Sequence, residues 1–309
     1  MLRSRLRIPR SSRLWRPVAL SSRSFHAAPS LKQFNPEEGI PGLLSPGGLD
    51  MAWTQYMQLV IERLNALTAG TEFEEQDPLS IIKATAREPS LAPIFNYASM
   101  AHNNHFFFKN LANKKSPSHQ QPGEDADENE ATSRATKMSE TLKKLLARQF
   151  SSIETLRREF YATAMGMFGP GFVWLVKNGR SSDMRILVTY LAGTPYTAGH
   201  WRRQGVDMNT HGLSSPDTVQ AWLDRTKAGA GADTGGRFLQ QSQTAPGGTD
   251  VIPLLCLNTW EHVWLRDYGI GAGGVGGKRQ YIMNWWNTID WAMIEDEARI
   301  GIAGPSLKI

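Results

Sequence analysis

The chain is poor in cysteine, and this scarcity excludes two classes of small-domain architecture. Cys256 is the single cysteine among 309 residues, so neither a disulfide framework nor a cysteine-rich zinc site can form within the chain. Long apolar runs are also missing, since no stretch approaches the roughly 18 apolar residues of a membrane-spanning helix. The 40% content of hydrophobic residues predicts a globular protein with a sizeable core and no membrane partner.

The first 36 residues contain no Asp or Glu, and Glu37 is the first acidic residue of the chain. The opening stretch is rich in serine and carries seven arginines, at positions 3, 5, 7, 10, 13, 16 and 23. This composition is typical of mitochondrial transit peptides. We therefore assign residues 1–31 to a transit peptide, with cleavage near "RSFHAA", and expect the mature protein in the mitochondrial matrix. The alternative is a basic arm that stays attached and binds nucleic acid.

The formal net charge of +5 comes from this opening stretch. Without its seven arginines, 27 of the 34 Lys and Arg remain against 29 Asp and Glu, which leaves a formal charge of about −2. A nearly neutral protein is not drawn onto phosphate backbones by its overall field. We therefore expect limited or no direct RNA contact.

Two helical patterns define the first part of the mature chain. The segment "MAWTQYMQLVIERLNALTAG" carries apolar residues at helical spacing and predicts one long helix that ends before Gly70. A second helical stretch, "NYASMAHNNHFFFKNLAN", follows a proline-rich connection. Residues 35–112 are thus predicted to form an N-terminal helical hairpin domain. Residues 113–137 contain no large apolar side chain and are predicted to be a disordered acidic linker.

The second part, residues 138–309, has the pattern of an α/β domain. Two helices are separated at "SSIE", where Ser151 or Ser152 caps the second helix. The runs "GFVWLVKN" and "RILVTYLAG" predict a β-hairpin, and "DVIPLLCLNTWEHVWLRDYG" predicts a third strand followed by a helix. Residues 197–249 are polar and glycine-rich, which predicts an insertion. The chain closes with one predicted helix, "KRQYIMNWWNTIDWAMIEDEA". The fold class is α+β.

Four motifs occur in an order that resembles the iron and manganese superoxide dismutases. They are "HNNHFFF" at residues 102–108, "GPGFVWL" at 169–175, "NTWEHVW" at 258–264 and "WNTIDW" at 286–291. The resemblance implies an N-terminal helical hairpin packed on a mixed domain with a three-stranded antiparallel sheet. This is the architecture that the periodicity predicts independently.

The resemblance also implies where the ligands of a redox metal would lie. Active members hold the metal with three imidazoles, one carboxylate and a bound solvent molecule. Here the matching positions are Ala52, His105, Asn258 and His262, and the positions that gate the substrate funnel are Tyr56 and Val60. A methyl group and a neutral amide thus replace one imidazole and the carboxylate. No histidine occurs between Ala27 and Ala101, so no shift in register restores the missing ligand.

These replacements predict a protein with no catalytic residues, no bound metal and no cofactor. The branch of the family with transit peptides, insertions and degraded ligands comprises proteins of the fungal mitochondrial ribosomal small subunit. The leading hypothesis is a structural protein of that subunit that pairs with a like-folded partner through Glu261 and makes limited or no contact with ribosomal RNA. Two alternatives are an active mitochondrial superoxide dismutase with an atypical site, and a free pseudoenzyme that scaffolds another matrix complex.

Overall fold

The structure is a computed structural model that describes residues 26–86, 88–112, 138–179, 181, 183–200 and 251–300. Three predicted segments fall wholly or mostly outside these residues: the transit peptide up to residue 25, the linker at 113–137, and the insertion from residue 201 to 249. In the described ranges, no helix is both long and apolar enough to cross a membrane.

The first part of the chain forms the predicted helical hairpin. Its helices are α1 (Pro46–Leu49), a π-helical turn (Asp50–Gln55), α2 (Tyr56–Thr68), α3 (Pro78–Thr85), a 3-10 turn (Pro89–Leu91) and α4 (Ala92–Lys109). Prolines stand in the first turns of α3 and α4, where a missing N–H costs nothing. The hairpin buries its apolar stripe between α2, α3 and α4, as the helical periodicity predicts.

The π-helical turn at Asp50–Gln55 differs from the prediction of one regular helix. The Ala52 carbonyl inside it accepts a hydrogen bond from the Asn104 side chain of α4, with 3.2 Å between Nδ2 and O. A side chain that bonds to a carbonyl of the helical ladder is a recognised cause of local irregularity in helices. Periodicity along one segment does not reveal such a contact, because the partner is 52 positions away.

The second part contains the predicted three-stranded antiparallel sheet. Its elements are α5 (Glu140–Phe150), α6 (Ile153–Gly166), β1 (Gly171–Asn178), β2 (Met184–Tyr190), α7 (Thr197–His200), β3 (Val251–Asn258), α8 (Glu261–Tyr268), a 3-10 turn (Ala272–Gly274), α9 (Gly277–Trp286) and α10 (Trp291–Ile300). The strand order is β2-β1-β3, so β1 is central. Val173 of β1 pairs with Val188 on one side and Leu257 on the other.

The prediction of a single closing helix was wrong, because the chain breaks between α9 and α10. Asp290 accepts hydrogen bonds from the backbone N–H groups of Ala292 and Met293, each at 3.1 Å, and so caps the start of α10. Ile289 leaves the helix to form a β-bridge with Leu111 at the end of the hairpin. The "NTID" segment therefore carries a cap signal that the continuous apolar spacing concealed.

The start of the first helix is fastened to α8. Ser45 donates through its backbone N–H and its hydroxyl to the two carboxylate oxygens of Asp267, at 2.7 and 2.6 Å. The same Ser45 hydroxyl caps α1 by accepting from Gly48 N. A Cβ atom on Gly48 would overlap the Asp267 carboxylate. This close approach brings the helix that carries Ala52 against the helix that carries His262.

The structure distinguishes the two candidate caps of α6. The Ser152 hydroxyl accepts from Thr155 N at 3.0 Å, whereas Ser151 has a φ of 66° and its hydroxyl bonds to no described residue. Replacing Ser152→Ala should lower the free energy of unfolding by about 1 kcal/mol, because the cap is lost.

Ser151→Ala is the matched control for this substitution, because it removes a neighbouring hydroxyl without removing a hydrogen bond. Urea unfolding of both variants measures the difference. Equal losses in the two variants would contradict the assignment of the cap to Ser152.

Candidate functional site

Three neutral groups meet where the resemblance placed the metal ligands. Asn258, at the end of β3, donates from Nδ2 to Oδ1 of Asn104 at 3.1 Å. Asn104, in α4, donates from its own Nδ2 to the carbonyl of Ala52 at 3.2 Å. All three residues are fully buried. The hydrogen bonds thus form one chain, the amide chain Asn258–Asn104–Ala52, that joins the hairpin to the sheet.

The two oxygens of Asn258, at one end of this amide chain, also have hydrogen-bond partners. Asn258 Oδ1 accepts from the backbone N–H of Trp260 at 2.9 Å, and the Asn258 carbonyl accepts from the Tyr281 hydroxyl at 2.8 Å. Trp264 Nε1 donates to the neighbouring carbonyl of Thr259 at 3.1 Å. A buried amide costs little when its groups are paired in this way, whereas an unpaired one costs roughly 1–3 kcal/mol.

His262 lies beside this chain, in the first turn of α8, and stacks on Tyr56. The two rings are 3.8 Å apart between centroids and 13° from parallel. Burial lowers the pKa of His262 to about 4, so the imidazole is neutral at physiological pH. Its Nε2 atom is buried and has no hydrogen-bond partner among the described residues. His262 is therefore held by packing rather than by polar contacts.

His105, the predicted counterpart of a ligand, makes no hydrogen bond with the amide chain in the described part of the chain. Its ring packs near Trp53, with 6.0 Å between centroids. Burial, followed by the charge of Lys109, lowers its pKa. His102 hydrogen bonds through Nε2 to the Tyr196 hydroxyl at 2.9 Å. Neither histidine hydrogen bonds to Ala52 or Asn258 in the described structure.

Asn104 is the site residue that sequence reasoning missed. The motif "HNNH" draws attention to its histidines, yet the structure places the second asparagine between Ala52 and Asn258. The available signal was the pair of adjacent asparagines inside an otherwise apolar helix. Both Asn103 and Asn104 are fully buried, and buried amides require specific partners.

Comparison with known proteins defines the family. Residues 138–212 and 233–297 match the family described as iron/manganese superoxide dismutases, C-terminal domain. This part of the chain belongs to that domain family. Among its dismutase relatives, the iron superoxide dismutase of Bacteroides fragilis is 24% identical over 253 residues, which is 82% of this chain and 90% of that protein.

Two relatives that are more similar to this chain are named as ribosomal proteins. Small ribosomal subunit protein mS43 of Schizosaccharomyces pombe is 29% identical over 273 residues, 88% of this chain and 84% of that protein. Small ribosomal subunit protein mS42 of the same yeast is 26% identical over 219 residues, 71% of this chain and 72% of that protein. Both matched regions, of 273 and 219 residues, are longer than the C-terminal domain and so include part of the chain before it.

The residues present at this site do not suit the iron or manganese of the dismutases. The oxygens of Ala52, Asn104 and Asn258 each accept a hydrogen bond, and the two side-chain amides direct N–H groups into the site. The redox metal of this family is held by three imidazoles and a carboxylate, whereas the amides here supply no negative charge and donate their N–H groups to one another's oxygens. His262 Nε2 is buried and has no hydrogen-bond partner among the described residues.

Restoring the carboxylate at position 258 should harm the fold. Asn258→Asp places an acceptor against Asn104 Oδ1, so the free energy of unfolding should fall by about 1–3 kcal/mol at pH 7.5. Burial raises the pKa of a carboxyl group. The loss relative to the unsubstituted chain should therefore be smaller at pH 5, where the carboxyl is closer to its protonated form.

The matched control for this substitution is Asn96→Asp, at an exposed position of α4, which should change stability little at either pH. Urea unfolding at the two pH values measures both variants. A stability of the Asn258→Asp variant equal to that of the control would show that the amide chain does not hold the two parts together.

Proposed function

We propose that this protein is a structural component of the small subunit of the mitochondrial ribosome, in which a dismutase fold serves protein–protein assembly and so supports mitochondrial translation. The observation that carries the proposal is the amide chain Asn258–Asn104–Ala52, in which hydrogen bonds through Asn104 join two of the four ligand positions to each other. The relatives named as small ribosomal subunit proteins support it. The Arg-rich, acid-poor N-terminus supports import into the matrix.

The chemistry of the site supports a non-enzymatic role. Superoxide dismutation by this family requires a metal that changes its oxidation state, and the four ligand positions here carry two imidazoles, His105 and His262, and no carboxylate. Burial lowers the pKa of His262 to about 4 and raises the pKa of the stacked Tyr56 well above its usual range. Neither of these two rings therefore exchanges protons readily near neutral pH.

One surface of the protein has the character of a partner-binding face. Phe168, Ile270 and Val275 are 98%, 86% and 82% exposed, and exposed apolar side chains of this size are characteristic of interaction sites when they cluster. Lys278 Nζ donates to the Met167 carbonyl at 3.2 Å, which brings the start of α9 against the segment that carries Phe168.

Glu261 belongs to the same neighbourhood. Burial lowers the pKa of Lys278, and the charge of the Glu261 carboxylate acts in the opposite direction. Glu261 is exposed and its carboxylate accepts no hydrogen bond from a described residue. A free acid beside exposed apolar side chains suits a protein partner, and a like-folded chain is the partner that the family resemblance favours.

Gradient sedimentation tests the ribosomal assignment directly. The full-length chain, tagged at its C-terminus and expressed at its natural level, should comigrate with the mitochondrial small subunit on a sucrose gradient. Purified protein should also hold well below one iron or manganese per chain and show no dismutase activity. Sedimentation only in light fractions would leave a free scaffold as the function. Stoichiometric metal with activity would establish the alternative of an active dismutase with an atypical site.

A variant of the apolar face tests how the protein attaches. Phe168→Asp should move the tagged chain from the subunit fractions to light fractions, because a charge replaces an exposed apolar anchor. Leu59→Asp is the control, since Leu59 is a half-exposed apolar residue on α2, in the other part of the fold. Immunoblots of the gradient fractions measure both. Comigration of both variants with the subunit would exclude this face from the attachment.

A further inference from the structure

His26 is built into the folded protein, although the compositional boundary at residue 31 places it in the transit peptide. Only 7% of the residue is exposed. Its backbone N–H donates to Oδ1 of Asn65 at 3.0 Å, and its carbonyl accepts from Nδ2 of the same Asn65 at 2.9 Å. These two bonds fix the orientation of the Asn65 amide on α2.

The His26 ring makes two further contacts with the hairpin. Its Nδ1 lies 2.8 Å from Asn65 Oδ1, and its Nε2 lies 2.9 Å from the carbonyl of Gln76. Asn65 belongs to α2, and Gln76 belongs to the turn that precedes α3. The residue therefore connects the end of one helix to the beginning of the next. Removing it would leave a half-buried amide and a backbone carbonyl without these partners.

The residues that follow His26 are also part of the fold. Leu31 packs against the main hydrophobic core, and its carbonyl accepts from the backbone N–H of Phe34 at 3.1 Å. Phe34 is itself buried in that core. A mature chain that began at Lys32 would lose the contacts of both His26 and Leu31. The composition supports an earlier boundary, because the last arginine of the opening stretch is Arg23.

We propose that the processing peptidase cuts between Arg23 and His26, so that the mature protein retains His26 and everything after it. The cut is a hydrolysis in which water adds across one peptide bond. The released peptide gains a carboxylate, and the mature chain gains an α-ammonium group. If the cut falls at Phe25–His26, that ammonium forms on the nitrogen that already donates to Asn65 Oδ1, and the bond becomes charge-assisted.

The inference rests on the mitochondrial import that the proposed function includes, and terminal sequencing separates the two. The tagged full-length chain is recovered from mitochondria, its α-amines are labelled chemically, and the N-terminal peptide is identified by mass spectrometry. The expected first residue is Ser24, Phe25 or His26. A first residue at Ala27 or beyond overturns the inference alone. An intact precursor outside the organelle overturns the inference and the proposed location together.

The stability of defined chains tests the physical argument separately. A chain that begins at Ala27 should unfold at a lower urea concentration than one that begins at His26, and Asn65→Ala in the longer chain should give a similar shift. Combining the two changes should add little, because they remove one shared set of bonds.

Ser30→Ala, at an exposed position, is the control and should leave the urea midpoint unchanged. An unchanged midpoint for a chain that begins at Lys32 would overturn the structural role of residues 26–31.

Discussion

The amide chain Asn258–Asn104–Ala52 is the contact on which the arrangement of the two parts depends. It connects the end of β3 to α4 and α4 to the π-helical turn. These three places are far apart in sequence, so the chain of bonds fixes their mutual positions as a bound cation fixes its ligands. The amide chain differs from a metal site because all of its groups are uncharged. Neutral amides avoid the large cost of burying a carboxylate without a counterion.

Two further contacts join the N-terminal part of the chain to α8. Tyr56 of α2 stacks on His262. Ser45, at the start of α1, donates two hydrogen bonds to the Asp267 carboxylate. Together with the amide chain, these contacts hold the N-terminal helices against the C-terminal domain by ring packing and hydrogen bonds.

Much of the fold could be predicted from the sequence, because its elements follow local rules. Short runs of bulky β-branched and aromatic residues predicted the strands, and the serine pair predicted the boundary between α5 and α6. Predictions failed where one contact overrides the pattern of apolar residues. The π-helical turn depends on the distant Asn104, whereas the break before α10 depends on the local cap by Asp290 together with the long-range bridge from Ile289 to Leu111.

Two members of the amide chain, Ala52 and Asn258, were singled out from the sequence as ligand positions, and the structure joins them by hydrogen bonds. Asn104 was not singled out, because histidines in the same motif are the stronger signal for metal binding, and helix rotation by one residue moves a side chain by about 100°. Only the packing of α4 against β3 determines which residue of "HNNH" faces the site.

The two hydrogen bonds from Ser45 to Asp267 affect the order in which the parts of the protein fold. These residues are 222 positions apart, so the first helix must wait for almost the whole chain before its N-terminus is fastened. The hairpin can form from local contacts as soon as it emerges, whereas its docking on the C-terminal domain closes a very long loop and comes late. Until that docking takes place, we expect the apolar face of the hairpin to stay exposed to solvent.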